Sequence, residues 1–275
     1  MYLTTSIPYV NAAPHIGHAL EFVQTDVLAR YYRLMGQDVI LQTGTDENAF
    51  KNVLAARKLG VTTQDLVDQN ASVFRNLIDT LDVQYDTFIR TTESRHHQTV
   101  NELWRALDPK DLYIKEYVGR YCDGCEDFYQ EKDLDRGLCP DHGTPPRNVK
   151  EENIFFRLST YAEHLRKLLE SGELQITPAK RKSEILAFID RGLQDISISR
   201  SAERAGGESQ FQKNQTKLFM FGLMLWLIIY PGNEIKILGM KIIEKYMLLA
   251  RIFGNFMPFT GQLYYYLRNF HYPMN

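Results

Sequence analysis

A strand–helix–strand pattern at the start of this chain leaves it few folds to choose from. Tyr2-Leu3-Thr4-Thr5-Ser6-Ile7 is a β-type run closed by Pro8 and a loop that reaches Pro14. Ile16, Ala19, Leu20, Val23, Val27, Tyr31 and Leu34 then recur at spacings of three and four, which is helical periodicity. Pro14 suits a first helical turn and Gly36 the position just past the end, because proline has no N–H to orphan and glycine accepts left-handed backbone. Val39-Ile40-Leu41 is a second strand, ending at Thr43-Gly44-Thr45-Asp46-Glu47. This βαβ unit predicts an α/β fold with a parallel sheet. Such sheets hold ligands at the carboxyl ends of their strands, where the Ser6–His18 and Gly44–Asn48 loops lie.

Composition limits the function classes. The 275 residues suit two domains or one elaborated domain, and 24% charged with 44% apolar residues is ordinary globular usage. A formal charge of -2 gives no global polyanion-binding signature, so any nucleic-acid surface must be local. Three cysteines are too few for a disulfide scaffold, and no signal segment opens the chain, so a reducing, cytoplasmic setting is expected. The averages hide a break. Residues 1–207 carry 31 acidic and 25 basic side chains, whereas 208–275 carry 3 and 7, with no Asp, no Val and six of the eight methionines. A shift of this size marks a boundary or a foreign segment.

Two constellations carry chemistry. Pro14-His15-Ile16-Gly17-His18 opens the first helix, where unpaired N–H groups and the positive dipole end favour phosphate. Two imidazoles there can donate to phosphate oxygens, and Gly17 lets a flat ring approach; the plain alternative is a capped helix with two exposed histidines. The second is Cys122-x-x-Cys125, thirteen residues, then Cys139-x-x-His142, which uses every cysteine of the chain. Close pairs of soft ligands across a turn-rich spacer describe a tetrahedral zinc site, with Gly124 and Gly143 allowing the knuckle turns. Three unligated thiols are the alternative. Four protein ligands leave no open position, so this zinc would be structural.

Pro8-Tyr9-Val10-Asn11-Ala12-Ala13-Pro14-His15-Ile16-Gly17-His18-Ala19, followed by Gly44-Thr45-Asp46-Glu47-Asn48, resembles the class I aminoacyl-tRNA synthetases and the methionyl-tRNA synthetase family in particular. The likeness runs from Tyr2 to about Gly207. It implies a Rossmann-like nucleotide-binding fold with an inserted connective-peptide domain bearing a zinc knuckle. Residues 1–115 would be the first half of the catalytic domain, 116–170 the insert, 171–207 the return toward the catalytic fold and 208–275 a tail outside the family. The resemblance also implies methionine–tRNA ligase chemistry: Mg2+-ATP activates methionine to methionyl-adenylate, which is transferred to initiator and elongator methionine tRNA. On this likeness His15 and His18 stabilise charge on the α-phosphate, Gly17 lies beneath the adenine, Ile7 and Tyr9 line the methionine pocket, and Asp46 holds the ammonium group. Read alone, Asp46 would more often be a helix cap.

Glu151 to Ser159 resembles the family segment in which the insert returns, and a helical pattern through Tyr161, Leu165, Leu168 and Leu169 follows. Pro178 begins another stretch that ends in Gly192-Leu193-Gln194-Asp195-Ile196-Ser197-Ile198-Ser199-Arg200. Arg200 faces the reaction centre on the family reading and solvent on the plain one. Lys180-Arg181-Lys182-Ser183 reads as a solvated basic turn, and Arg95-His96-His97 as a solvated helix face.

The family's later signatures, WGIPVP, YVWFDAL, HVIGKD and the KMSKS loop, are missing from the printed chain. Leu218–Tyr230 is instead a 13-residue apolar run, short of the roughly 20 that a membrane span needs. Reading one base out of frame recovers most of the missing strings. If each new codon takes the third base of one codon and the first two of the next, Gly207–Gln212 permit WGIPVP. Met220–Trp226 permit YVWFDAL, and Met247–Gln262 permit HVIGKDIWKFHAIYWP. The slip then lies within the Ala205–Gly207 codons, and the chain is expected to be inactive. The competing expectation is a non-catalytic, zinc-bearing pseudo-synthetase that binds ATP, tRNA or a protein partner.

Overall fold

The computed structural model describes residues 1–122, 127–129, 131, 134–177, 179–199 and 264–266. Its amino-terminal part is built on three strands, β1 (Tyr2–Thr4), β2 (Ile40–Thr45) and β3 (Thr87–Arg90). They pair in the order β1-β2-β3, all parallel, with Leu3 opposite Leu41 and Thr43 opposite Phe88. β2 is buried along almost its whole length, as expected of a central parallel strand covered on both faces. Gly44 admits β3 at close range: a Cβ there would lie 2.1 Å from the Ile89 carbonyl oxygen.

The predicted first helix is α1 (Ile16–Leu34), ending with Met35 as its cap and Gly36 at φ 77°. It buries Ala19, Phe22, Thr25, Asp26 and Ala29. α2 (Phe50–Leu59) and α3 (Thr63–Thr80) follow β2, and Val67, Phe74 and Ile78 of α3 share a core with Leu3, Phe22 and Leu41. The basic end of α1 clamps the chain entering β3. Arg30 pairs with Asp26 at 2.6 Å and Asp82 at 3.2 Å, and Arg33 pairs with Asp86 at 2.7 Å. The Asp86 carboxylate also accepts the Leu41 N–H, tying the clamp to β2.

After α4 (Ser94–Ala106) the architecture changes to antiparallel. β4 (Leu112–Cys122), β5 (Asp127–Tyr129), β6 (Arg147–Phe156) and β8 (Ile196–Ser197) form a sheet of order β5-β4-β6-β8. β4 and β6 are the long arms, in register from Leu112 opposite Phe156 to Tyr121 opposite Arg147. α5 (Ala162–Ser171) and α6 (Ala179–Asp190) pack beneath β6 in one core that includes Phe156, Leu165, Leu169, Ile185, Ile189 and Ile198. The boundaries at 116 and 170 thus fall inside β4 and at the end of α5, within that continuous unit. β7 (Gln175–Thr177) pairs antiparallel with β9 (Tyr264–Tyr266). The remaining residues of the 208–275 tail lie outside the described residues. Lys180-Arg181-Lys182-Ser183 is helical rather than a turn, since it opens α6, where Arg181 pairs with Glu184 at 2.6 Å. Among the described residues no helix is long and apolar enough to cross a membrane.

Candidate functional site

His15, Gly17 and His18 form the start of α1. His15 is the N-cap, so Pro14 precedes the helix instead of opening it. The His15 Nδ1 accepts the Gly17 N–H at 3.1 Å, and the His18 Nδ1 accepts the His15 N–H at 3.1 Å. This is a capping box made by two imidazoles. A ring nitrogen that accepts a hydrogen bond carries no proton, so each ring keeps its N–H at Nε2. The rings stack with centroids 3.8 Å apart, and His18 meets the edge of Phe74 at 5.0 Å. Burial, helped by the neighbouring His15, lowers the His18 pKa to about 4, so His18 is a neutral donor at pH 7. Gly17 leaves room for this fold-back, because a Cβ would sit 2.9 Å from the His15 ring.

The loop before the helix is tied down from three sides. Glu21 of α1 accepts both the Ser6 N–H at 2.6 Å and the Ser6 hydroxyl at 2.8 Å. Burial raises the Glu21 pKa, an effect that those two hydrogen bonds oppose. Asn70 of α3 donates to the Val10 carbonyl at 2.6 Å. Asp46 donates its N–H to the Pro8 carbonyl at 2.9 Å, and Tyr9 and Asp46 form a parallel bridge. Two of the expected methionine-binding residues are therefore adjacent at the carboxyl ends of β1 and β2. Ile7 is buried against Ile89, and Lys51 lies over the Tyr9 ring at 5.2 Å.

Asp46 is not a helix cap. Its Oδ1 accepts the Asn48 N–H at 3.1 Å, closing a local turn before α2, whose N-cap is Ala49. Beneath it Glu47, 0% exposed, accepts Arg90 Nε at 2.5 Å and Arg90 Nη2 at 3.0 Å, together with the hydroxyls of Thr45 and Thr92. Arg90 also pairs with Asp68. The Thr91 hydroxyl accepts the Glu47 N–H at 2.8 Å and donates to Asp46 at 3.4 Å. Sequence reasoning missed Glu21, Asn70, Arg90 and Thr91, whose partners are 15 to 60 residues away and leave no local pattern. The expected solvated face at Arg95-His96-His97 holds for Arg95, which is exposed, and is overturned at His96. His96 is 3% exposed, on the buried face of α4 that it shares with Val100 one turn on, and its Nε2 is buried without a hydrogen-bond partner.

At the far end of β4, Cys122, Cys139 and His142 converge, their ligand atoms all within 4.8 Å of one another. His142 Nδ1 lies 3.9 Å from the Cys122 Sγ and 3.7 Å from the Cys139 Sγ. Around a tetrahedral zinc with Zn–S about 2.3 Å and Zn–N about 2.0–2.1 Å, such atoms stand roughly 3.6 Å apart, so these donors fit the ion. The Gly143 N–H returns to the Cys139 carbonyl at 2.8 Å, and Gly143 takes φ 61°, the turn that brings His142 back to the thiols. Cys125 and Arg200 lie outside the described residues.

The family described as tRNA synthetases class I (M) matches residues 1–146 and 141–219, and so continues past Gly207. The chain belongs to that family. A methionine–tRNA ligase of Brucella suis is 42% identical over 205 residues, which are 73% of this chain and 40% of that protein. One of Mycobacterium tuberculosis is 40% identical over 206 residues, again 73% and 40%. A crystal structure of the Mycobacterium tuberculosis methionyl-tRNA synthetase bound by methionyl-adenylate superposes with a TM-score of 0.69 at 41% identity. That likeness covers 73% of this chain and 41% of the other. The chain thus spans about two fifths of the length of the relatives it matches.

Proposed function

We propose that this chain carries the ATP-binding half of a methionine–tRNA ligase catalytic domain. The observation that supports the reading most is the pair of His Nε2–H donors at the start of α1, with Tyr9 and Asp46 joined at the neighbouring strand end. In this reading His15 and His18 donate to the α-phosphate of Mg2+-ATP as the methionine carboxylate attacks it and pyrophosphate leaves. The catalysis is electrostatic and positional, with no covalent bond to the protein. Gly17 receives the adenine, Ile7 and Tyr9 bound the methionine side chain, and Asp46 holds the ammonium group. Transfer to methionine tRNA completes the reaction.

Cys122, Cys125, Cys139 and His142 hold a structural zinc in the same reading, supported by the three donors that converge. The zinc would brace the tip of the β4–β6 hairpin and take no part in adenylate formation.

The tail from about Gly207 is the family's own gene read one base out of frame. Three family strings recovered in order and in a single offset support this, as do the loss of Asp and Val and the excess of Met. The test is to restore the frame within the Ala205–Gly207 codons and assay pyrophosphate exchange. The restored chain should exchange pyrophosphate with methionine and with no other amino acid, whereas the printed chain should not rise above its His15→Ala, His18→Ala control. If the shifted frame carries stop codons or fails to spell those strings, the pseudo-synthetase reading replaces this one.

A further inference from the structure

The histidine pair follows a segment with little regular structure of its own. From Thr5 to His15 the chain forms neither strand nor helix, apart from the bridge of Tyr9 to Asp46. The capping box ties the two rings to each other and to the first turn of α1. Helix α3 meets the same segment twice. The Asn70 side-chain amide donates to the Val10 carbonyl at 2.6 Å, and Val10 is fully buried. One turn on, the Phe74 ring stands edge-on to His18, with centroids 5.0 Å apart and planes at 66°. Residues four apart share a helix face, so one side of α3 holds the chain five residues before His15 and three after it. α3 is a firm support. Thr62 caps it by accepting the Asp65 N–H at 3.0 Å, and Val67, Ala71, Phe74 and Ile78 are buried along it. Phe74 lies in the core with Leu3, Phe22 and Leu41, where close packing leaves its ring no room to shift. Asn70 stands beside that apolar stripe, half-buried, and the amphipathic pattern of α3 is complete without it.

We propose that Asn70 and Phe74 are positioning residues for the histidine pair, holding the His18 ring with Nδ1 on the His15 N–H and leaving Nε2–H to donate. The inference rests on the ligase reading above and adds to it the source of the precision of the two phosphate donors. Such a reaction is fast only when its donors are held to a fraction of an ångström. Phe74 also covers one side of His18, and burial, with the neighbouring His15 second, is what lowers the His18 pKa to about 4. A protonated Nδ1 could not accept the His15 N–H, so the contact that places the ring also keeps the capping box closed.

The experiment is nitrogen NMR of the full 275-residue chain carrying labelled histidine, with His15→Ala and His18→Ala to assign the two rings. At pH 7 both rings of the parent chain should show an unprotonated Nδ1 and a protonated Nε2, and His18 should titrate near pH 4. Phe74→Leu keeps an apolar side chain in the core and should raise the His18 midpoint by about one unit or more, because the ring gains water. Asn70→Ala leaves the core intact and should mix the two tautomers of both rings at pH 7 as the cap loosens. Phe88→Leu, in the same core on β3, should lower stability and move neither signal. In the frame-restored chain Phe74→Leu and Asn70→Ala should each lower kcat for pyrophosphate exchange by about tenfold to a hundredfold, with the KM for methionine little changed. Ring signals that match the parent in folded Asn70→Ala overturn the inference, whether or not Phe74→Leu folds. So does a folded Phe74→Leu with an unmoved His18 midpoint, or a Phe88→Leu shift of equal size. A restored chain that exchanges no pyrophosphate while the ring signals respond as expected removes the ligase reading and leaves the positioning role standing.

Discussion

Gly17 and His96 show how single side chains set the behaviour of the site. Because a Cβ at Gly17 would meet the His15 ring at 2.9 Å, Gly17→Ala should push that ring off its cap. In the frame-restored chain the variant should lose about 10²–10³ in exchange rate, the scale of one displaced donor. The readout is kcat for pyrophosphate exchange, with circular dichroism to show that the fold survives. His96 acts on stability. Burial, then the neighbouring His97 and Arg95 charges, lowers its pKa from 6.5 to about 4. Between those values the unfolded chain binds the proton and the folded chain does not. Stability is therefore complete above about pH 6.5 and falls as pH drops toward 4. At about 1.4 kcal/mol per unit the loss reaches up to about 3 kcal/mol. His18 adds to it in the same direction. Urea denaturation from pH 7 to pH 4 should show the loss, and His96→Phe should flatten much of it. An unchanged slope in that variant would refute the assignment.

Among the elements, the β2–β3 pair and its following loop bear most on the site. Glu47 is fully buried at the end of β2, and its charge is matched by Arg90 at the end of β3. Removing one partner of such a pair strands the other charge, which costs about 3–5 kcal/mol. Arg90→Ala should therefore lower the unfolding free energy by that order in a denaturant titration. It should destabilise far more than Arg120→Ala, whose pair with Glu131 is solvent-exposed on the second sheet and worth about 0–1 kcal/mol. If the two variants cost the same, Glu47 is not buried as described. Because Glu47 neighbours Asp46, the Arg90 change should also loosen the turn that Asn48 closes on Asp46, visible as faster amide exchange at Asn48.

For the whole molecule the question is how its two larger sheets depend on metal and on each other. The Cys122, Cys139 and His142 cluster lies at the tip of the β4–β6 hairpin, while the core under β6 is closed by Phe156, Leu165, Leu169 and Ile185. Elemental analysis of the 275-residue chain should find about one zinc per chain. Chelation should then raise amide exchange at the hairpin tip and leave the parallel sheet protected, because a structural ion stabilises the segment it ties together. Well under one zinc, or an exchange change spread evenly over both sheets, would contradict the knuckle.

Periodicity and spacing carried a good deal of this molecule. The three-and-four spacing from Ile16 to Leu34 specified α1 to its last turn, since a helix's register depends on neighbours a turn away. The apolar run at Val39–Leu41 marked β2, and the spacing of the cysteines with His142 pointed to the place where Cys122, Cys139 and His142 converge, because such spacing is itself local. What the stripe did not say is which way it faces. Ile16, Leu20 and Val27 look outward, and the sheet is covered by Ala19, Phe22 and Ala29, a choice set by where β1 and β2 lie. The support of the site was equally out of reach of the sequence. Glu21 on Ser6, Asn70 on Val10 and Arg90 on Glu47 join residues far apart in the chain. His96 read as solvent-facing and is interior because it shares the buried face of α4 with Val100, while Arg95 beside it is exposed. Local pattern dictates which element forms, through backbone geometry and side-chain periodicity. Which face is buried, and which charge meets which, follows from packing between elements that the chain brings together only when it folds.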